Sequence, residues 1–182
     1  MGRPRFAFLD HPGPLAFAHR GGAGDWPENT LPAFDAAVRA GYRYLETDVH
    51  VTEDGVLLAF HDEALDRVTD RTGLIREQPW STVREARVDG REPIPVFEEL
   101  LRTYPDARFN IDPKHDSAVD ALAKVIRGAN AVDRVNIGSF SDRRIARLRE
   151  LLGLDLCTGM GPKAIARLRA ASFGAPSAPF SA

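Results

Sequence analysis

The stretch Phe17–Thr30, FAHRGGAGDWPENT, decides the fold. Phe17 and Ala18 close a short apolar run that begins at Leu15. The run ends in His19-Arg20 and two glycines, then passes into Pro27-Glu28-Asn29-Thr30. A strand that only fills a core has no need of an imidazole and a guanidinium at its tip. A tip that handles a phosphate does, because Arg offers a two-pronged fork for phosphate oxygens. Beyond the turn, Leu31, Phe34, Ala37 and Val38 recur at helical spacing. Asn29 or Thr30 can cap that helix, Pro32 is tolerated in its first turn, and Gly41 suits its end. Strand, turn and helix in that order open an α/β fold.

The alternation continues outward. Five further runs read as strands: 44–49, 56–61, 109–113, 135–140 and 154–158. Helices are expected near 81–86, 96–103, 117–128, 142–152 and 165–171 by apolar spacing. Strands separated by helices argue for parallel pairing through crossovers. Residues 62–93 are polar and irregular and read as a loop or small insertion. The expected division is an N-terminal segment 1–13, a barrel domain 14–171 and a disordered Ala/Pro/Ser/Gly-rich tail 172–182. A complete eight-stranded barrel takes about 250 residues. With 182 residues, six strand–helix units of eight are expected.

Composition narrows the function. The formal net charge is −2, without the basic stripe of a nucleic-acid binder. No run approaches the length of a membrane span, and the first residues lack the apolar core of a signal peptide. A single cysteine, Cys157, allows no intrachain disulfide and fits a reducing compartment, so a cytoplasmic location is expected. Cys157 itself reads as a buried strand residue.

The polar residues gather at strand ends. His19 and Arg20 end the first run, and Glu46 and Asp48 share one side of the second. His61 and Asp62 end the third, while Asp112 and Lys114 end the fourth. In a parallel barrel those ends form one rim, where active sites collect. Glu46, Asp48 and Asp112 supply oxygen ligands for Mg²⁺ or Ca²⁺. Arg20 and Lys114 supply positive charge for a phosphate. His19 and His61 supply a base or nucleophile and an acid. Single pairs of this kind are often structural salt bridges; it is their common placement that favours chemistry. Glu28 reads either as a partner that orients Arg20 or as a charge at the following helix's positive end. Asp62 reads as an acceptor for a histidine or as a turn cap. Phe140 reads as pocket wall or core, and His50 is placed facing the helices.

The ordered pieces AHRGGAGDWPENTLPAF, YLETDVHVTEDGVLLAFHD, LDRVTDRTG and FNIDPK resemble the glycerophosphodiester phosphodiesterase family over residues 15–160. The resemblance implies a TIM barrel that hydrolyses glycerophosphodiesters to an alcohol and glycerol 3-phosphate with one divalent cation, Mg²⁺ or Ca²⁺. It implies Glu46, Asp48 and Asp112 as metal ligands, His19 and His61 as the catalytic pair, and Arg20 and Lys114 as phosphate contacts. His61 is assigned as acid and His19 as base or nucleophile, and attack by a glycerol hydroxyl through a cyclic phosphate is also compatible. Two alternatives remain open: a lysophospholipase D-like phosphodiesterase, and a catalytically impaired barrel fragment that binds phosphate or metal.

The sequence departs from the family in two places. The family's Glu-x-Lys on the fourth strand is Asp112-Pro113-Lys114 here, with a shorter carboxylate and one strand donor removed. The similarity fades after Gly161, before the last strands. An open sheet leaves unpaired edges, so self-association is an expectation.

Overall fold

The computed structural model describes residues 4–22 and 24–173. Its main sheet has the six strands expected, with five in parallel: β1 (Phe17–Ala18), β2 (Tyr44–Val51), β6 (Arg108–Pro113), β7 (Val135–Ile137) and β8 (Cys157–Thr158), in the order β1-β2-β6-β7-β8. Helices α1 (Leu31–Arg39), α3 (Phe97–Thr103), α4 (Ala118–Gly128) and α5 (Asp142–Leu152) lie between successive parallel strands, and α6 (Pro162–Ser172) follows the last. Residue 172 therefore ends a helix, and the rest of the expected tail lies, from 174 onward, outside the described residues.

Burial alternates as a barrel wall requires. On β6, Phe109 and Ile111 are buried against the helices, while Arg108, Asn110 and Asp112 fall on the other side. Leu45 and Val49 of β2 join the same core, with Phe34, Phe97, Leu100, Leu122, Ile126 and Leu148 from the helices. The opposite face carries polar residues in register: Tyr44 beside Arg108, Glu46 beside Asn110, Asp48 beside Asp112. Asn136 pairs with Asn110 in turn, and its side-chain amide donates to the Asn110 Oδ1 at 2.6 Å.

The sixth strand corrects one expectation. β3 (Leu57–Ala59) pairs with β2 antiparallel, Val51 opposite Leu57 and Val49 opposite Ala59. The link between them is a tight turn closed by Gly55 N–H to Thr52 O at 3.1 Å, with Gly55 at φ 89°. A parallel return needs a crossover of about a dozen residues, which this turn cannot supply. β2 thus runs past the barrel rim as a hairpin arm, and β3 brings the chain back to rim level, where Phe60 N–H donates to Asp48 O at 3.0 Å.

The stretch expected to be irregular carries its own core. Leu58, Phe60, Leu65, Ile75, Val83, Ala86, Val88 and Ile94 form one buried cluster. A short helix α2 (Trp80–Val83) and a two-residue hairpin, β4 (Arg87–Val88) with β5 (Glu92–Pro93), complete it. Before β1, Phe8, in the turn Ala7–Leu9, is buried with Tyr44 and Cys157 at the opposite end from the rim.

Candidate active site

The turn after β1 places the first two site residues. His19, Arg20 and Gly21 form one tight turn in which Arg20 is left-handed, φ 51°. Such a backbone costs a non-glycine residue about 1–3 kcal/mol and persists where its surroundings hold it. Here Arg20 N–H donates to Glu46 Oε2 at 2.9 Å, and Arg20 O accepts from Asn29 N–H at 2.9 Å. Gly21 must be glycine: its φ is +79°, and an added Cβ would stand 3.1 Å from the Phe34 ring.

Pro27-Glu28-Asn29-Thr30 is a clamp on that turn more than a helix cap. Asn29, also left-handed at φ 55°, is buried, and its Oδ1 accepts the Thr47 hydroxyl at 2.8 Å. Thr30 holds the N-cap position of α1, but its hydroxyl donates to Pro27 O at 2.7 Å and makes no cap bond. The Glu28 carboxylate accepts two bonds from Arg20 Nη1, at 3.1 and 3.2 Å, so the reading of Glu28 as a partner of Arg20 is the one the geometry takes. Burial pushes the Glu28 carboxyl up, and Arg67 and Arg20 together outweigh it and hold it below its ordinary value.

Three carboxylates and three cationic or imidazole groups then meet at the rim. Lys114 Nζ lies 2.7 Å from Asp48 Oδ1 and 2.8 Å from Asp112 Oδ2, bridging the two strands. Burial alone would lower the Lys114 ammonium, and these two carboxylates raise it instead. Arg20 Nε faces Asp48 Oδ2 at 3.6 Å, too far for a hydrogen bond, and both atoms are buried without a hydrogen-bond partner among the described residues. Glu46 Oε2 lies 3.8 Å from His19 Nε2. Burial, with Asp48 nearby, raises the Glu46 carboxyl above its ordinary value despite the Arg20 N–H.

His61 arrives by the hairpin. Its ring Nδ1 lies 2.5 Å from Asp62 Oδ1, and its carbonyl accepts from His50 Nε2 at 3.1 Å. A carbonyl only accepts, so His50 must carry its proton on Nε2. Burial lowers the His50 pKa, in keeping with a neutral ring. His50 therefore faces the same side as Asp48, two residues earlier, and not the helices; the two-residue period of a strand dictates this. Arg67, from the loop after β3, completes the set by binding both Asp62 and Glu28.

Glu46, Asp48, Asp112, Arg20, Lys114 and His19 thus form one contact network, and His61 joins it through Asp62 and Arg67. Among the described residues, no three of the Asp, Glu, His and Cys side chains are placed close enough together to hold a metal ion between them. Asp112 and Asp48 are held by the Lys114 ammonium. The donor set still fits a hard divalent ion: all oxygen, with one buried Asp48 oxygen left without a hydrogen bond. Sequence reading passed over three contributors: Arg67, Asn29 and the inward face of His50. The period of two could have found His50; loop residues such as Arg67 carry no periodic signal.

Next to Glu46 and Asp112 runs an open trough of ≈570 Å³, lined also by Phe140, Met160, Pro162 and Ile165. Phe140, 89% exposed, stands on its wall and is not core. Cys157 is buried as expected, and burial pushes its thiol up to about 11, so it is not activated. No described helix is long and apolar enough to cross a membrane.

Comparison with known proteins bears on the family and the fold. The sequence model of the glycerophosphoryl diester phosphodiesterase family matches residues 19–155. A protein named probable glycerophosphodiester phosphodiesterase 2, from Mycobacterium tuberculosis, is 41% identical over 165 residues, 90% of this chain and 62% of that protein. The chain spans about six tenths of the length of the first curated relatives it matches. Among solved structures, the glycerophosphoryl diester phosphodiesterase domain of another Mycobacterium tuberculosis protein superposes with TM-score 0.80 over 91% of this chain and 67% of that one, at 24% identity. A phosphodiesterase from Oleispira antarctica, solved with the product sn-glycerol-3-phosphate, matches with TM-score 0.66 over 76% of this chain and 62% of that one, at 25% identity. The five parallel strands are part of a TIM barrel, and the chain belongs to the glycerophosphoryl diester phosphodiesterase family, whose members in general depend on a divalent metal.

Proposed function

We propose that this chain hydrolyses glycerophosphodiesters to an alcohol and glycerol 3-phosphate, using one divalent cation, Mg²⁺ or Ca²⁺. The observation that carries the reading is that the buried Asp48 Oδ2 and Arg20 Nε face each other at 3.6 Å, neither with a hydrogen-bond partner, with Glu46 and Asp112 beside them. Leaving such atoms unpaired costs about 1–3 kcal/mol each, a cost tolerated where a ligand completes them. Glu46, Asp48 and Asp112 would hold the cation, which when bound polarises a phosphoryl oxygen.

The side chains around it divide the remaining work. Arg20 presents a guanidinium fixed by Glu28, and Lys114 an ammonium that can turn from the carboxylates to a phosphate oxygen. His61, pinned at Nδ1 by Asp62, keeps Nε2 for a proton to the leaving alkoxide. His19, 69% exposed, is placed to take a proton from water or from a glycerol hydroxyl, which leaves direct hydrolysis and the cyclic-phosphate route both compatible. The glycerol 3-phosphate found in the Oleispira antarctica relative supports the substrate class.

Hydrolysis of glycerophosphocholine with Mg²⁺ or Ca²⁺, with a chelator, and with His61→Ala tests this. Cation-dependent release that disappears in His61→Ala is the expected result. Cation binding without release would leave the phosphate- or metal-binding barrel as the correct reading.

A second reading has one specific observation behind it. The trough beside Glu46 and Asp112 is lined mainly by apolar side chains and could seat an acyl chain, as a lysophospholipase D-like activity requires. Release of choline from a choline-containing lysophospholipid, faster than from glycerophosphocholine, would select it. The exposed Met160, Ile165 and Leu168 also support self-association, through α6 and the β8 edge. A sharp monomer in light scattering would overturn that. A single buried cysteine fits a cytoplasmic protein, and recovery from the culture medium would contradict it.

A further inference from the structure

We propose that Arg67 is a positioning residue for His61, acting through Asp62 and tying the proton donor to the phosphate-binding arginine through Glu28. The inference rests on the reading of His61 as the acid. Arg67 Nε donates to Asp62 Oδ2 at 2.5 Å, and Nη2 donates to Asp62 Oδ1 at 3.1 Å. The same guanidinium reaches the other way: Nη2 to Glu28 Oε1 at 2.6 Å and Nη1 to Glu28 Oε2 at 3.3 Å. Glu28 also accepts both bonds from Arg20. Five side chains of alternating character therefore run His61–Asp62–Arg67–Glu28–Arg20 from one flank of the site to the other.

The geometry fixes a proton. Both Asp62 oxygens are engaged by Arg67, so the carboxylate cannot swing away from the ring. Those bonds hold Asp62 at about 2 against the opposing effect of burial, so it is an acceptor at working pH. His61 Nδ1 must then be the donor, and Nε2 is the nitrogen left for the substrate. The His50 bond to the His61 carbonyl fixes the backbone from the other side. Arg67 itself is 47% exposed, and ion pairs so exposed add little to stability. Its contribution is orientation.

The test compares two diesters in the full chain with its cation present: glycerophosphocholine, whose alkoxide needs a proton, and a 4-nitrophenyl diester, whose phenolate leaves without one. Arg67→Met is expected to lower kcat on the first by about 10–100-fold, with KM changed less than about threefold. On the nitrophenyl diester the loss should stay below about threefold. Arg67→Lys, which keeps charge but not the fork, should recover part of the loss. Equal losses on both diesters would make Arg67 merely structural, and a raised KM with unchanged kcat would make it a substrate contact; either overturns the inference. A crippled His61→Ala beside an unaffected Arg67→Met overturns this inference alone. An unaffected His61→Ala overturns the acid assignment and this inference with it. The His61 Nδ1 proton, read by NMR, gives the same answer without turnover: protected in the parent and lost in Arg67→Met supports the inference, and protected in both overturns it.

Discussion

The two ends of this half-barrel are built from the same strands and treat their polar groups in opposite ways. At the floor, the Tyr44 hydroxyl donates to Phe8 O at 2.9 Å and accepts from Arg108, whose guanidinium also donates to Asp10 O at 2.8 Å. Phe8 meets the Tyr44 ring edge-on at 5.2 Å. Among the described residues, no buried side-chain polar atom at that end lacks a hydrogen-bond partner. Four residues along β2, at the rim, Asp48 keeps a buried oxygen without a hydrogen bond, Arg20 an Nε without one and a left-handed backbone, and Glu46 a carboxyl weakened by its surroundings. Saturation marks scaffold and unsatisfied polarity marks the place kept for something else.

That contrast can be broken from both ends. The largest effects should come from His61→Ala and Phe8→Ala. The first is expected to lower turnover of glycerophosphocholine by about 10²–10⁴-fold and leave the unfolding midpoint in place. The second is expected to cost about 3–5 kcal/mol in chemical denaturation and leave kcat near that of the parent. Next comes Lys114→Met. It removes the ammonium between Asp48 and Asp112 and should destabilise the cation-free chain by about 3 kcal/mol, a loss that millimolar Mg²⁺ or Ca²⁺ restores. Arg108→Met at the floor should also destabilise, and added cation should restore nothing. Tyr44→Phe should cost about 1 kcal/mol, the usual contribution of one buried hydrogen bond, with kinetics unchanged.

The smallest effect is a pH dependence. Asp62 falls from its ordinary 3.8 to about 2 in the folded chain, so its contribution is complete above pH 3.8 and is lost as pH falls towards 2. With Arg67 half exposed and screened, that contribution is at most about 1 kcal/mol. Unfolding curves of the parent and Asp62→Asn should differ by that amount at pH 5 and converge near pH 2.

Most of the rim was legible because strand period and strand ends are local signals. Glu46 and Asp48 two apart, Asp112 two before Lys114, and His19-Arg20 at the end of an apolar run each state a face and an end. The direction of β3 is also written in the sequence, since Thr52 to Gly55 is too short for a crossover, although the apolar pattern of 56–61 by itself reads as one more barrel strand. His61 reaches the rim all the same, by returning down a hairpin. The stretch 62–93 was harder. Its core residues, Leu65, Ile75, Val83 and Val88, are spaced without helix or strand period, and they cohere through contacts between loops. Arg67 belongs to that stretch, and its partners Glu28 and Asp62 are 39 and 5 residues away in sequence. Only tertiary structure brings such a bridge together.

Calorimetric titration of the chain with Mg²⁺ and Ca²⁺, in parallel with Asp48→Asn at the rim and Tyr44→Phe at the floor, tests the division most directly. Binding of one ion by the parent and by Tyr44→Phe, and none by Asp48→Asn, is the predicted result. An Asp48→Asn chain that takes up the ion as the parent does would contradict it.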